Sequence, residues 1–250
     1  MTIYSYSRLK CYEQCPRKYK FQYIDKIKIE ARENVELFLG KRVHETLKKL
    51  YRDLQYQKEN TLGELLDYLH YMWSKNWNDS IVIVKKKYCQ EDYQNTASKY
   101  ITDYYHRCKP FNHGRTIALD ERIFINLNGS NGYKMIGYID RLVKNDDSCY
   151  EIHDYKTSSR FPFGNKIYNE KQLALYSIGV KERYYDVKDI DLIWHYLKFN
   201  KEIKSSWTDE EIKKLKYNIT RLIDSIETTK VFPVYHSKLC YWCRFKDICG

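Results

Sequence analysis

Long apolar runs are missing from this chain. No stretch approaches the roughly 18–20 consecutive apolar residues that a membrane-spanning helix needs, so no helical span is expected within it. Proline and glycine are scarce, four and nine among 250 residues, and they gather in no linker or low-complexity stretch. With no internal repeat either, one compact domain over residues 1–250 is expected, large enough to bury a substantial core. The phosphate-gripping pattern G-x4-G-K-[S/T] is absent, which removes ATP hydrolysis from the expected activities. Met1-Thr2-Ile3-Tyr4-Ser5 leads into polar and aromatic residues rather than an apolar secretory core, so the expected location is the cytoplasm.

Cysteine, positive charge and tyrosine are plentiful. Eight cysteines in a reducing compartment are a poor disulfide framework, and their spacing points to metal ligation for some of them. Cys11, Cys89, Cys108 and Cys149 show no ligand spacing and read as small buried residues. The net charge of +11 suits a polyanionic partner. Twenty-six tyrosines and five tryptophans supply rings that pack in cores and that also stack on unpaired bases.

Residues 5–23 read as a helix capped by Ser5 or Ser7. Val35, Leu39, Val43, Leu47, Leu50 and Leu54 recur at helical steps, Thr61-x-x-Glu64 is a capping box opening a third helix, and residues 90–108 read as a fourth. The pattern then changes. Residues 116–127, 133–144 and 148–157 are short and rich in β-branched and aromatic residues, with Asn128-Gly129 and Asn131-Gly132 marking a hairpin. Residues 169–183 return to helix and 190–199 to strand. A second capping box, Thr208-x-x-Glu211, opens a helix with Ile212, Leu215, Ile219, Leu222 and Ile226 on one face. The expected fold is α/β (α+β): a helical part (1–115), a catalytic core with a mixed sheet flanked by helices (116–200), and a helix with a cysteine-rich cap (201–250).

Alternation puts Ile152, Asp154 and Lys156 on one face of their strand, and Asp140 is expected at the end of the preceding strand, one tight turn away. Two carboxylates so placed make a hard oxygen site for Mg2+ or Mn2+. Lys156 reaches a phosphate oxygen or the attacking water, the charge neutralisation that phosphodiester hydrolysis needs. On its own, His44 beside the apolar stripe of its helix reads as a satisfied core histidine, and Gln172 and Tyr176 as a surface pair one helical turn apart. His153 is expected on the sheet face opposite Asp154. At the chain ends, Cys240-x2-Cys243-x5-Cys249 and the distant Cys15 form a set that suits zinc or an iron–sulfur cluster equally on chemistry alone, with Cys11 a rival for the first position.

Gly137-Tyr138-Ile139-Asp140-Arg141 followed by Ile152-His153-Asp154-Tyr155-Lys156-Thr157 resembles the core of the PD-(D/E)XK nuclease superfamily. Gln172-x3-Tyr176, Gly40-x3-His44 and the opening Ser5-Tyr6-Ser7-Arg8-Leu9 through Cys15-Pro16 and Tyr19 are similar to its RecB-like branch, which includes the AddB nuclease domain and the CRISPR-associated RecB-family exonucleases. The similarity is weakest over residues 55–115. It implies Asp140, Asp154, His44 and the carbonyl of Tyr155 as ligands of Mg2+ or Mn2+, Lys156 as the catalytic lysine, and Gln172 and Tyr176 as residues that contact substrate or orient the site. Glu121 matches a frequent upstream acidic position more loosely. Imidazole ligation by His44 would favour Mn2+ over Mg2+.

The resemblance also implies a structural 4Fe–4S cluster on Cys15, Cys240, Cys243 and Cys249, closing a loop of more than 200 residues. The implied activity is that of a metal-dependent exonuclease on single-stranded DNA. Without an ATPase motif it would need single-stranded ends or a separate helicase to expose them; a helicase and a CRISPR adaptation partner are the candidate partners. Lys85-Lys86-Lys87 and Arg17-Lys18-x-Lys20 are candidate phosphate contacts. Two other readings stand beside this one: a non-catalytic DNA-binding module on a nuclease fold, and a zinc-stapled binding protein.

Overall fold

A computed structural model describes residues 2–29, 32–127, 132–145, 147–162 and 171–249. The turn expected at Asn128-Gly129 and Asn131 lies outside the described residues, as does the expected helix start before residue 171.

Strand β1 (Ile3–Ser5) runs into α1 (Tyr6–Gln14), where the Ser5 hydroxyl accepts the Arg8 N–H at 3.2 Å. The continuous helix expected over 5–23 breaks at Cys15. The residue before a proline is pushed to extended backbone, and Cys15 adopts φ −164°, ψ 107°. The chain restarts as α2 (Pro16–Tyr19) and a π-helical turn at Lys20–Ile24. After β2 (Glu33–Asn34) comes α3 (Val35–Gln55), which buries Val35, Leu39, Val43, Leu47 and Leu50 as its periodicity requires. Helix α4 (Leu62–Asn76) starts at the Thr61–Glu64 capping box, and β3 (Ile81–Val82) precedes α5 (Gln90–Cys108). Cys89 is exposed at the start of α5, not buried as expected, while Cys11 is buried and Cys108 and Cys149 are half-buried.

Strands β4 (Arg115–Asn126), β5 (Lys134–Lys144) and β6 (Cys149–Lys156) form the anticipated antiparallel meander. Helix α6 (Lys171–Arg183) crosses over to β7 (Asp189–Tyr196), parallel to β6. That strand ends three residues early. Asn200, in left-handed conformation, turns the chain into β8 (Lys201–Ser205), an edge strand the sequence reading did not anticipate. Helix α7 (Asp209–Thr228) follows from its Thr208–Glu211 capping box; it buries Leu215, Ile219, Ile223 and Ile226, while Ile212 and Leu222 are only half-buried. The tail ends in two 3-10 turns, Lys238–Trp242 and Lys246–Ile248.

The result is a mixed six-stranded sheet flanked by helices. Helices α1, α6 and α7 cover one face over a core that includes Leu9, Ile123, Ile152, Leu173, Trp194 and Ile223. Helices α3, α4 and α5 cover part of the other over Phe38, Leu47, Trp73, Tyr104 and Tyr155. The chain ends are tied together: Arg17 donates to the Phe232 carbonyl at 2.9 Å, and Tyr12 pairs with Thr229 at 2.8 Å. No helix among the described residues is long and apolar enough to cross a membrane.

Candidate active site

The site is built around a fork in the sheet. Strand β4 lies along one edge of β5 from Asn126↔Lys134 to Arg115↔Lys144. The other edge is shared: β1 pairs with Lys134–Ile136 and β6 with Arg141–Lys144. Gly137–Asp140 fall between them, where β6 has swung away. Asp140 is therefore inside β5, four residues from its end, and not at the strand terminus that the sequence reading expected. Inward alternation also slips here, because Ile139 and Leu142, three apart, both enter the same core.

Buried peptide groups must find partners, and side chains provide them at the fork. The Tyr155 N–H donates to Asp140 Oδ2 at 2.9 Å. The Tyr155 carbonyl accepts from His44 Nε2 at 2.7 Å, and His44 Nδ1 lies 3.2 Å from Asp140 Oδ1. The Tyr138 N–H meets the Tyr176 hydroxyl. Glycine makes two of these approaches feasible. A Cβ on Gly40 would stand 3.2 Å from Thr157 Oγ1, so this glycine brings α3 close to the end of β6 and, one turn later, His44 onto Asp140. A Cβ on Gly137 would run into the Tyr176 ring. Gly137→Ala should therefore cost about 1–3 kcal/mol of stability and displace Tyr176; a urea unfolding midpoint equal to wild type would refute this packing.

Asp154 and Lys156 come from one face of β6, as alternation predicts, and meet α6. The Lys156 ammonium lies 2.6 Å from Asp154 Oδ2 and donates to Gln172 Oε1 at 2.8 Å. Gln172 Nε2 lies 3.2 Å from both Asp154 Oδ1 and the Tyr176 hydroxyl. The six side chains thus form two bonded groups, His44 with Asp140 and Asp154 with Lys156, Gln172 and Tyr176, joined through strand β6 and by their charges.

Electrostatics separate the two carboxyls. Burial would raise Asp140, but the adjacent His44 imidazole and the Tyr155 N–H outweigh it and hold Asp140 below the usual carboxylate range. Burial dominates at Asp154 and raises it, with Lys156 opposing and Asp140 adding to the rise. For His44, burial pulls down, yet Asp140 and Asp154 carry it up to about 9. Among the described residues no three His, Cys, Asp or Glu side chains are gathered to hold a metal ion; the lysine and the imidazole stand against the carboxylates instead. The donor set nevertheless fits a hard cation. Asp140 and Asp154 offer carboxylate oxygens, and Asp154 Oδ2 is buried with the Lys156 ammonium 2.6 Å away, an oxygen suited to a cation.

Other singled-out residues lie elsewhere. His153 is on the opposite face, stacked on His195 with ring centroids 5.2 Å apart, and burial pulls it down to about 4, so it is neutral. Glu121 pairs with Arg183 at the far end of α6. Arg141 is buried over the Tyr51 ring at 3.7 Å and donates to Thr116, a bracing role that its place in the motif does not reveal. Of the basic clusters, Lys85 pairs with Glu36, Lys20 with Asp25, and Arg17 holds the tail.

The four patterned cysteines line a cavity that includes none of the fork residues, and among the described residues they are not drawn together as a ligand set. Cys15, Cys240, Cys243 and Cys249 line one cavity of about 140 Å3, walled by Phe21, Leu239 and Phe245. Cys11 is not among its lining residues. The Cys249 thiol is pushed up by burial and by Cys15, Cys243 and Cys240. A soft cationic group is the chemistry four such thiols fit.

No curated protein matches the chain. Among solved structures, a candidate exonuclease from Eubacterium rectale is similar over 97% of this chain and 87% of its own, at 13% identity and TM-score 0.53. SSO0001 aligns over 94% of this chain and 93% of its own at 15% identity, with a TM-score of 0.39, too loose to add to the comparison. The sequence model of the PD-(D/E)XK nuclease superfamily matches residues 3–250, nearly the whole chain, and the chain belongs to that superfamily.

Proposed function

We propose that the chain is a metal-dependent deoxyribonuclease that degrades single-stranded DNA from an end and carries a structural 4Fe–4S cluster. The observation that carries the nuclease reading is the meeting of Asp140, Asp154 and Lys156 at the fork, close enough for each to shift the charge state of the others. Asp140, Asp154, His44 and the Tyr155 carbonyl would hold Mg2+ or Mn2+, which when bound supplies charge neutralisation and water activation. The remaining work falls to this chain. Lys156 presents its ammonium to the scissile phosphate, Gln172 fixes that ammonium and Asp154 together, and Tyr176 holds Gln172 from below. Digestion of end-labelled single- and double-stranded oligonucleotides with Mg2+ or Mn2+, comparing wild type with Lys156→Ala, tests this reading.

His44 gives the site a pH dependence. Raised to about 9 in the metal-free protein, its imidazole is charged at neutral pH and must lose a proton to become a ligand. Apparent Mn2+ affinity should therefore rise about tenfold per pH unit towards 9 and then level off, with about one proton released per ion at pH 7. Calorimetry in buffers of different ionisation enthalpy measures that proton. Its absence, or its persistence in His44→Ala, would remove His44 from the ligand set.

The cluster is proposed because four thiols from opposite ends of the chain line one cavity. Its role is to staple the tail against α1 and α2, and it takes no part in hydrolysis.

A further inference from the structure

The helices on the α3 side of the sheet cover only one end of β4 and β5. Past Asp140 towards the start of β5, that face is bare among the described residues. Phe124 is 48% exposed and Tyr138 58% exposed, although Ile123, Ile125 and Ile139 beside them are fully buried on the other face. Register arranges the bare residues in rows: Arg122 opposite Tyr138, Phe124 opposite Ile136, and Asn126 opposite Lys134, with Ile3 of β1 flanking Lys134 and 51% exposed. The next row holds Asp140. Successive rows are about 7 Å apart, so the face leads stepwise into the proposed metal site.

We propose that this face is a stacking platform for an unpaired DNA strand, with Tyr138 and Phe124 taking bases and Arg122 and Lys134 taking phosphates. Exposed rings on a sheet are wasted on a duplex, whose base faces are already stacked on each other. They suit a single strand, whose bases offer a free π-face. The cations are in place for this role. Arg122 lies over the Phe124 ring at 5.2 Å and, like Lys134, has no carboxylate partner among the described residues. By contrast, Lys48 and Lys41 near the site are paired with Asp120 and Glu33. The net charge of +11 adds general attraction for the backbone. The platform rests on the nuclease reading for its ligand, and it supplies the residues that would choose an unpaired strand over a duplex.

The test is binding of a fluorescent oligothymidylate and of a duplex of equal length to the full chain in EDTA, so that nothing is cut. Tyr138→Ala and Phe124→Ala should each weaken the single strand about fivefold to a hundredfold and leave the weaker duplex binding nearly unchanged. Tyr138→Phe should retain affinity, which separates ring stacking from a folding defect. Tyr138→Trp should bind like wild type with its emission quenched by oligothymidylate. Arg122→Ala should lower the slope of log affinity against log salt by about one.

Equal losses on single strand and duplex, or no loss in the alanine variants, would overturn the platform. So would alanine variants that leave DNA affinity intact but convert a dimer to a monomer, since the face would then join two copies. In parallel, Lys156→Ala reports on the nuclease reading by itself. If it abolishes cutting while the platform variants bind normally, only the platform falls.

Discussion

Lys156→Ala should lower DNA cleavage about a hundredfold to a thousandfold at saturating Mn2+, with the folded state intact. One preorganised donor aimed at developing charge is typically worth 10²–10³ in rate, and Lys156 is the only ammonium that the described network brings between Asp154 and Gln172. Asp140→Asn and Asp154→Asn should be as severe, because each removes a charge from the proposed metal site. The Asn variants nearly preserve shape, so near-ultraviolet circular dichroism should stay that of wild type. Gln172→Ala should cost less, about ten- to a hundredfold, since it acts by holding Lys156 and Asp154 in place. Its signature is that neither Gln172→Leu nor Gln172→Glu restores cleavage: leucine makes neither bond, and a carboxylate accepts from the ammonium but cannot donate to Asp154 and repels it. Initial rates on end-labelled single strands decide these points. Cleavage persisting in Lys156→Ala and in Asp140→Asn would remove the hydrolytic assignment from this site.

On the proposed cluster, Cys243→Ser should abolish cluster binding and loosen the chain ends. With Cys15 more than 200 residues from Cys240, a cluster shared by them restricts the unfolded chain over nearly its full length. By analogy with disulfide staples, its loss should cost about 2–5 kcal/mol, or about 5–15 °C in Tm for a chain of this size. Broad absorption near ~400 nm, a property of thiolate-ligated iron, should disappear together with iron and acid-labile sulfide. Cys11→Ser should keep both, since Cys11 does not line the cavity. Anaerobically purified protein that contains zinc, or that melts at the same temperature with and without Cys243, would overturn the cluster. The carboxylate site should still hold Mn2+ in the cluster-free protein at low temperature, because the fork lies on the sheet and the staple on the tail.

Much of this organisation was legible locally. Both capping boxes start their helices where Thr61 and Thr208 stand, because Ser/Thr-x-x-Glu satisfies orphan N–H groups within four residues. Two-residue alternation placed Asp154 and Lys156 together and His153 away from them. Among the misses were β1, β8, the break at Cys15 and the position of Asp140. A strand of three residues, such as Ile3–Ser5, has too few positions for alternation to register, and it is a strand only because β5 lies beside it. Asp140 was misplaced for the same reason: nothing local says that β6 leaves β5 at Arg141 and that β1 takes its place. Phe124 and Tyr138 alternate with core residues like any other outward side chains, and only the extent of helix cover shows that they remain bare.

By itself, the sequence determined which functional groups the protein owns and which sheet or helix face each one shares, since backbone periodicity is a property of neighbours in the chain. The tertiary structure decided where two strands, β1 and β6, divide one edge of β5. The peptide groups left over at that division had to be satisfied by Asp140, His44 and Tyr176, drawn from separate parts of the chain. That requirement turned scattered acidic, basic and aromatic residues into a single site.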